Sequence, residues 1–256
     1  MAKINPDALC DDYLSRVHAL MKSIQSEEAG PLDRAAERLA DQVAADRLIH
    51  VYGPGGHSNL ASQEIFFRAG GLMHIAAILD EGTLLSGGAM RSMAVERLPG
   101  YGRLVIADRD LGADDVLILV NAYGINSALI DAALEARERG AFTIGVSSRK
   151  HASETSPDHV ARHPSKQNLH DVVDIAIDTK VPIGDALMRL EGLGEPMGAS
   201  STFANAFTLN SLVMRCVAKL LERGIEPPIW RSGNAPGGDE ANNRFLGKFR
   251  HRVRTL

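Results

Sequence analysis

The chain has 256 residues, 45% hydrophobic and 23% charged, enough for one large α/β domain or two small ones with a real core. Its net charge is −4 and its basic residues bunch only in the Lys248–Arg254 tail, which argues against nucleic acid as the main partner. No apolar run approaches the ~20 residues that span a bilayer, and the polar, acidic start is unlike a secretion signal, so a cytoplasmic protein is expected. Cys10 and Cys216 fall at apolar positions of helical patterns, which predicts buried thiols rather than a disulfide.

Leu9, Tyr13, Val17, Leu20 and Ile24 recur at helical spacing behind Pro6, a residue suited to a helix start. After Gly30-Pro31 the pattern resumes in Leu32, Ala36, Leu39 and Val43. This hairpin precedes any strand and is expected to pack outside the sheet or against a second subunit. Strands are then predicted at Leu48–Tyr52, Leu72–Leu79, Leu104–Ala107, Asp115–Asn121, Phe142–Ser147 and Val172–Asp178. Helices are predicted at Asn59–Ala69, at Asn126–Arg139 before Gly140, and at Ser200–Arg223 before Gly224 and Pro227-Pro228. His151–His170, Gly192–Gly198 and Arg231–Asn243 read as loops. Strands spaced by helices imply parallel βαβ units with helices on both faces. Ligands of such sheets sit beyond the carboxyl ends of the strands. A single domain spans 1–256, divided into a hairpin (1–45), a core (46–224) and a C-terminal loop and tail (225–256).

Three strand ends carry the polar groups. The first, Gly53-Pro54-Gly55-Gly56-His57-Ser58, has the form of an anion cradle: glycines let the backbone approach a ligand, and a helix start directs free N–H groups at it. Gly55, Gly56, Ser58 and Asn59 are its binding candidates. The second end supplies Asn121, Tyr123, Asn126 and Ser127, and the third Ser147, Ser148 and Arg149. Helix N-capping alone would also explain many of these small polar residues.

A set of segments resembles the sugar isomerase (SIS) domain family, and more closely a group of bacterial SIS-domain proteins. They are His57-Ser58 with Phe66–Gly71, Ile78-Leu79-Asp80, Glu96-Arg97-Leu98, Pro182–Ala186, Glu191-Gly192-Leu193, Gly224–Pro228, Ser232-Gly233-Asn234 and Gly237–Glu240. The resemblance covers nearly the full length. It implies a three-layer αβα sandwich with a five-stranded, parallel, doubly wound sheet, and a homodimer or homotetramer. It also implies binding of phosphorylated sugars with isomerase or lyase chemistry. Two features depart from the family. The first loop carries an extra residue, and Asn121-Ala122-Tyr123-Gly124 stands where a serine-rich loop is usual. Each hydrogen bond to a charged acceptor contributes about 1.5–3 kcal/mol, so lost hydroxyls weaken a phosphate cradle. The expected anion is therefore a phosphate held with help from Asn126, Ser127 and Arg149, or else a sulfonate or carboxylate on a sugar.

Aldose–ketose isomerisation needs a base for the proton next to the carbonyl, and donors for the enediolate. Glu64, six residues past Ser58, is the first candidate base; Glu81, just past the second strand, is another. His57 sits inside the cradle, and an imidazole can move protons near neutral pH. The glycine-rich Ser232–Glu240 stretch is expected to fold over the crevice and supply Asn234, Asp239 or Glu240. Glu191 and Asp185 raise the same question. These groups require no cofactor, and the histidines at 151, 159, 163 and 170 match no standard zinc spacing. Two further readings compete with an isomerase: a non-catalytic sugar-phosphate sensor, and a dinucleotide-dependent dehydrogenase using Asp80. The second lacks the third glycine of the usual fingerprint, since Ser58 stands in its place.

Overall fold

The computed structural model describes residues 5–256. Helix α1 (Pro6–Glu27) starts on Asn5, whose Oδ1 accepts the N–H of Asp7 at 3.1 Å, while Pro6 has no N–H to satisfy. Helix α2 (Ala29–Ala44) follows, then β1 (Ile49–Tyr52), α3 (Gly56–Ile65), β2 (Ile75–Ile78), α4 (Ala89–Glu96) and α5 (Tyr101–Ala107). The chain continues through β3 (Val116–Val120), α6 (Ser127–Glu138), β4 (Phe142–Ser147), α7 (Arg149–Glu154), α8 (Leu169–Val172) and β5 (Ile175–Asp178). It ends with a small hairpin, β6 (Ala186–Met188) and β7 (Met197–Ala199), and the helices α9 (Ser201–Glu222) and α10 (Gly238–Phe249).

Strands β1 to β5 form one parallel sheet in the order β2-β1-β3-β4-β5. The chain runs outward from β1 to β2, then returns to lay β3 on the other side of β1. That reversal opens a crevice at the carboxyl ends of β1 and β3. Strand β3 shows why the sheet is parallel and covered on both faces. Val116, Ile118 and Val120 pack into the layer of α2, α3 and α9, whereas Leu117 and Leu119 pack into the layer of α5, α6 and α8. All five are buried, so the strand reads as a continuous apolar run. Burying each such side chain stabilises the fold by about 1.5–3 kcal/mol.

Several expectations are corrected. Of the two hairpin helices, α1 lies outside the sheet layers, whereas α2 is part of the main core through Leu32, Ala36, Leu39 and Val43. Cys10 is exposed because the first turns of α1 bury no side chain, while Cys216 is buried as expected. The segment Leu104–Ala107 is helical, not a strand. Its helix α5 crosses α6 so closely that a Cβ on Gly102 would meet the Ala128 carbonyl at 1.9 Å, and this packing overrides the β preference of Val105-Ile106. Helix α3 ends at Ile65 rather than Ala69, because Phe66 is extended and Phe67 packs edge-on against Trp230. The expected loops are partly ordered: α7 takes up the start of His151–His170, β7 the end of Gly192–Gly198, and α10 begins at Gly238.

Candidate active site

The turn after β1 is tight. A Cβ on Gly53 would meet the Ser58 carbonyl oxygen at 2.3 Å, and Gly55 has φ +94°. The turn delivers the start of α3, with Gly56, His57 and Ser58 lining a cavity of about 130 Å³. Yet the turn is not an open cradle. A Cβ on Gly55 would lie 2.8 Å from the carboxylate of Glu96, and one on Gly56 would strike the side chain of Leu85. The protein's own carboxylate, brought in at the end of α4, covers the place where an anion was expected.

Asn121, at the carboxyl end of β3, ties the two loops together. Its Nδ2 lies 3.2 Å from the Pro54 carbonyl, 3.1 Å from Ser58 Oγ and 3.1 Å from Glu96 Oε1. Its Oδ1 accepts the N–H groups of Tyr123 and Gly124, both at 3.0 Å. Asn121 thus fixes the loop rather than offering a free donor. Burial pushes the Glu96 carboxyl up to about 7, against the opposing pull of the Asn121 amide and Arg97. A carboxyl tuned to that range can take and return a proton at neutral pH.

Glu96 and Tyr123 also wall a larger, adjoining cleft of about 520 Å³. Tyr123 stacks on His151 with ring centroids 3.7 Å apart and planes 18° from parallel, a flat apolar platform on the scale of a sugar ring. Arg97 lines the same cleft, and its buried Nε has no partner; His151 Nδ1 and Asn126 Oδ1 are likewise unpartnered. Burial, with His159 and Arg162 nearby, lowers the His151 pKa and keeps the ring neutral. In the small cavity Asp185 is fully engaged: it accepts from the backbone N–H groups of Ser200 and Ser201 and from both hydroxyls, and so caps α9.

The structure therefore brings together Gly55, Gly56, His57, Ser58, Asn121 and Tyr123, with Asn126 in the larger cleft. Other candidates are used elsewhere. Asn59 is buried and clamps Gly55 to Thr83. Ser127 is buried without a hydroxyl partner at the start of α6. Ser147 packs against Gly124; Ser148 caps α7 through the His151 N–H and donates to the Val181 carbonyl. Arg149 is exposed, its backbone N–H donating to Asp178.

The four carboxylates expected beside the ligand lie away from it. Glu64 is in the last turn of α3, which runs away from the crevice; six residues at 1.5 Å carry it about 9 Å past Ser58, where it pairs with Arg68. Glu81 is exposed in a short 3-10 turn after β2. Asp239 and Glu240, with Asn234, are exposed around the start of α10. That segment is fastened to the turn entering β2 by the Leu72–Ile229 bridge and the Gly70-to-Trp230 hydrogen bond, at the opposite end of the strands. The glycines of this stretch serve packing: a Cβ on Gly238 would lie 1.9 Å from the Ser232 carbonyl oxygen. Asp80 is likewise committed, accepting from Tyr101 Oη and the Thr83 N–H.

A doubly wound parallel sheet with a glycine turn and a polar turn meeting at its switch point defines a small-ligand-binding α/β class. Within it, the chain belongs to the SIS-domain family, whose profile matches residues 12–148. It is 35% identical to a UPF0309 protein of Halalkalibacterium halodurans over 95% of this chain and 96% of that protein. It is 34% identical to a UPF0309 protein of Streptomyces coelicolor, over 94% and 95% respectively. Among solved structures it is similar to the phosphoheptose isomerase of Neisseria gonorrhoeae, with a TM-score of 0.52, 13% identity and coverage of 83% of this chain and 97% of that one. The phosphoheptose isomerase of Francisella tularensis matches with a TM-score of 0.51 and 12% identity over 86% and 100%. At that identity the likeness is one of fold. Among the described residues no helix is long and apolar enough to cross a membrane.

Proposed function

We propose that the protein isomerises a phosphorylated or otherwise anionic sugar, with Glu96 as the proton-transferring group. The observation that carries this reading is the Glu96 carboxyl itself. It stands at the junction of the two cavities, is held by Asn121, and is raised to about 7 by burial. The sugar lies on Tyr123 and His151, with its anionic group near Arg97 in the wider cleft. Glu96 removes the proton from the carbon beside the carbonyl and becomes neutral. The negative charge passes to the substrate oxygen, which the first-turn N–H groups of α3 and His57 stabilise. His57 carries the proton of the neighbouring hydroxyl to that oxygen, and Glu96 returns its own proton to the former carbonyl carbon, so the carbonyl has moved by one position and both groups regain their starting states. In this scheme the glycine turn serves the enediolate rather than the phosphate, which fits a turn already shared with a carboxylate.

The sensor reading has one observation in its favour: Glu64, Glu81 and Asp239 are all absent from the lining of the crevice, where Asp185 is held by Ser200 and Ser201 and Glu96 is the carboxyl shared by both cavities. One experiment separates the two. A thermal-shift screen of sugar phosphates, sulfosugars and uronates identifies a ligand, and NMR in D₂O then follows the hydrogen next to its carbonyl. Exchange catalysed by the wild type and lost in Glu96→Gln supports the isomerase. A bound ligand with no exchange in the wild type replaces it with the sensor.

A further inference from the structure

A second cavity, of about 110 Å³, lies on the β1–β2 flank away from the crevice. Its floor is His50 of β1 with Ala76, Ala77 and Ile78 of β2; its walls are Asp108 and Arg109 after α5, and Arg252, Arg254 and Thr255 of the C-terminal tail. Three guanidinium groups thus meet one carboxylate in a small enclosed space. Two of the three are matched: Arg254 pairs with Asp108 at 2.6 Å, and Arg252 pairs with Asp46 at 3.3 Å. Arg109 forms no ion pair among the described residues, and its Nε is buried without a hydrogen-bond partner.

Asp108 and Asp80 act on Arg109 only at a distance: Asp108 is paired with Arg254, and the Asp80 carboxylate is oriented by the Tyr101 hydroxyl, so neither forms a direct ion pair with it. Burial, with Arg109 close by, lowers the pKa of His50, so that ring adds a neutral wall. Arg109 is half-buried, its Nε lacks a hydrogen-bond partner, and no carboxylate pairs with it directly, so a partly desolvated cation is left with bonding capacity to spare. A guanidinium whose planar fork is free matches the paired oxygens of an oxyanion.

We propose that this cavity is a second anion site, which takes a small tetrahedral oxyanion such as phosphate between Arg109 and Arg254. Its size admits an inorganic ion and excludes a hexose phosphate, so it is distinct from the sugar-binding cleft. Thr255, whose hydroxyl donates to the Ala77 carbonyl at 3.1 Å, closes the cavity from the tail side, so occupancy fastens the tail to the sheet.

The test is thermal unfolding in an oxyanion-free buffer titrated with inorganic phosphate, for the wild type, Arg109→Gln and Arg97→Gln. Phosphate is expected to raise the wild-type melting temperature with a logarithmic concentration dependence. Arg109→Gln is expected to weaken the apparent affinity by about tenfold or more, while Arg97→Gln, in the crevice, keeps the wild-type response. In the absence of phosphate Arg109→Gln melts no lower than the wild type, because no ion pair or side-chain hydrogen bond among the described residues is lost with it. A wild type that does not respond to phosphate, or an Arg109→Gln response equal to the wild type's, overturns the site. A response lost in Arg97→Gln and kept in Arg109→Gln assigns phosphate to the crevice instead. Should Arg109→Gln fail to fold, Arg254→Gln and Arg109→Lys take its place, and unchanged affinity in both overturns the proposal. Fructose 6-phosphate supplies the last arm: stabilisation by it that depends on Arg109 would contradict the size argument.

Discussion

The crevice at the carboxyl ends of β1 and β3 and the cavity on the β1–β2 flank are each built around one half-buried ionisable group that forms no direct ion pair among the described residues. The two groups have opposite signs. In the crevice burial raises the Glu96 carboxyl to about 7, so the group is poised between its two protonation states. On the flank burial and Arg254 lower the Arg109 pKa, but a guanidinium starts so high that it stays charged. Desolvation, the largest influence on both, therefore brings one group to the point of exchanging a proton near neutral pH and leaves the other a fixed cation. Tyr52 feels both centres: burial, Asp80, Tyr101 and Glu96 raise its pKa, and Arg109 opposes them.

The sharpest way to break the comparison is Glu96→Gln. The amide keeps the shape and can still accept from Asn121, but it cannot take a proton. Exchange at the substrate carbon should fall by about 10²–10⁴-fold, the usual range for general acid–base catalysis, with ligand affinity altered little. NMR in D₂O with single-turnover controls measures it. A loss below tenfold would remove Glu96 from the chemistry. In the wild type the base is the ionised form, so kcat/KM should climb as pH rises through about 7.

Next in size are the changes that dismantle the crevice. Asn121→Ala removes the donor shared among Pro54, Ser58 and Glu96 and the acceptor for two backbone N–H groups. A loss of about 2–3 kcal/mol is expected from denaturant unfolding, since buried partners are left unsatisfied. Gly55→Ala places a methyl 2.8 Å from the Glu96 carboxylate on a backbone at φ +94°. About 1–3 kcal/mol should be lost, together with activity. If either variant retained wild-type stability, the loops would not be locked as described.

The pH dependence of stability is a smaller effect, and its sign is diagnostic. In the folded state the Glu96 value is about 7, against an ordinary 4.5, so the fold favours the protonated form. Its stabilising contribution is complete below about 4.5 and is lost as pH rises through 7, the reverse of a salt-bridged carboxylate. Because part of the residue reaches solvent, the loss is about 1–2 kcal/mol rather than the full shift. Unfolding free energies at pH 5 and pH 8 should converge in Glu96→Gln once the contributions common to both proteins are subtracted. His74 acts in the opposite direction: burial lowers it to about 4 despite its contact with Asp46, so its contribution is present above about 6.5 and fades on acidification.

Most of the sheet was legible because its signal is local. Val116–Val120 and Phe142–Ser147 announce themselves as unbroken apolar runs, and glycine after Tyr52 marks a turn whatever surrounds it. The site was legible only where it belongs to those turns, as with Gly55, Ser58, Asn121 and Tyr123. In the sequence Glu96 stands out only as part of a family-like segment, Glu96-Arg97-Leu98, and carries no local sign of chemistry. Its role depends on α4 returning over β1, and nothing in Met93–Leu98 encodes that contact locally. Asp239 and Glu240 failed for the converse reason: glycine-rich polar sequence suits an active-site loop and a helix start equally well.

The smallest expected effect is a test by indifference. Glu64 follows the glycine turn at a spacing that made it the first candidate base, yet it faces a groove shared with Phe67 and Thr202 and pairs with Arg68 at 3.3 Å. An exposed i,i+4 pair contributes about 0.3–0.5 kcal/mol. Glu64→Gln should therefore shift stability by no more than about that amount and leave exchange kinetics within a factor of two of the wild type. Glu64 rides at the far end of α3, whereas Glu96 is carried by the end of α4 back to the start of α3, beside Gly55. A rate defect in Glu64→Gln comparable to that of Glu96→Gln could not arise from the crevice geometry. It would mean that the flank beside α9, not the strand ends, holds the substrate.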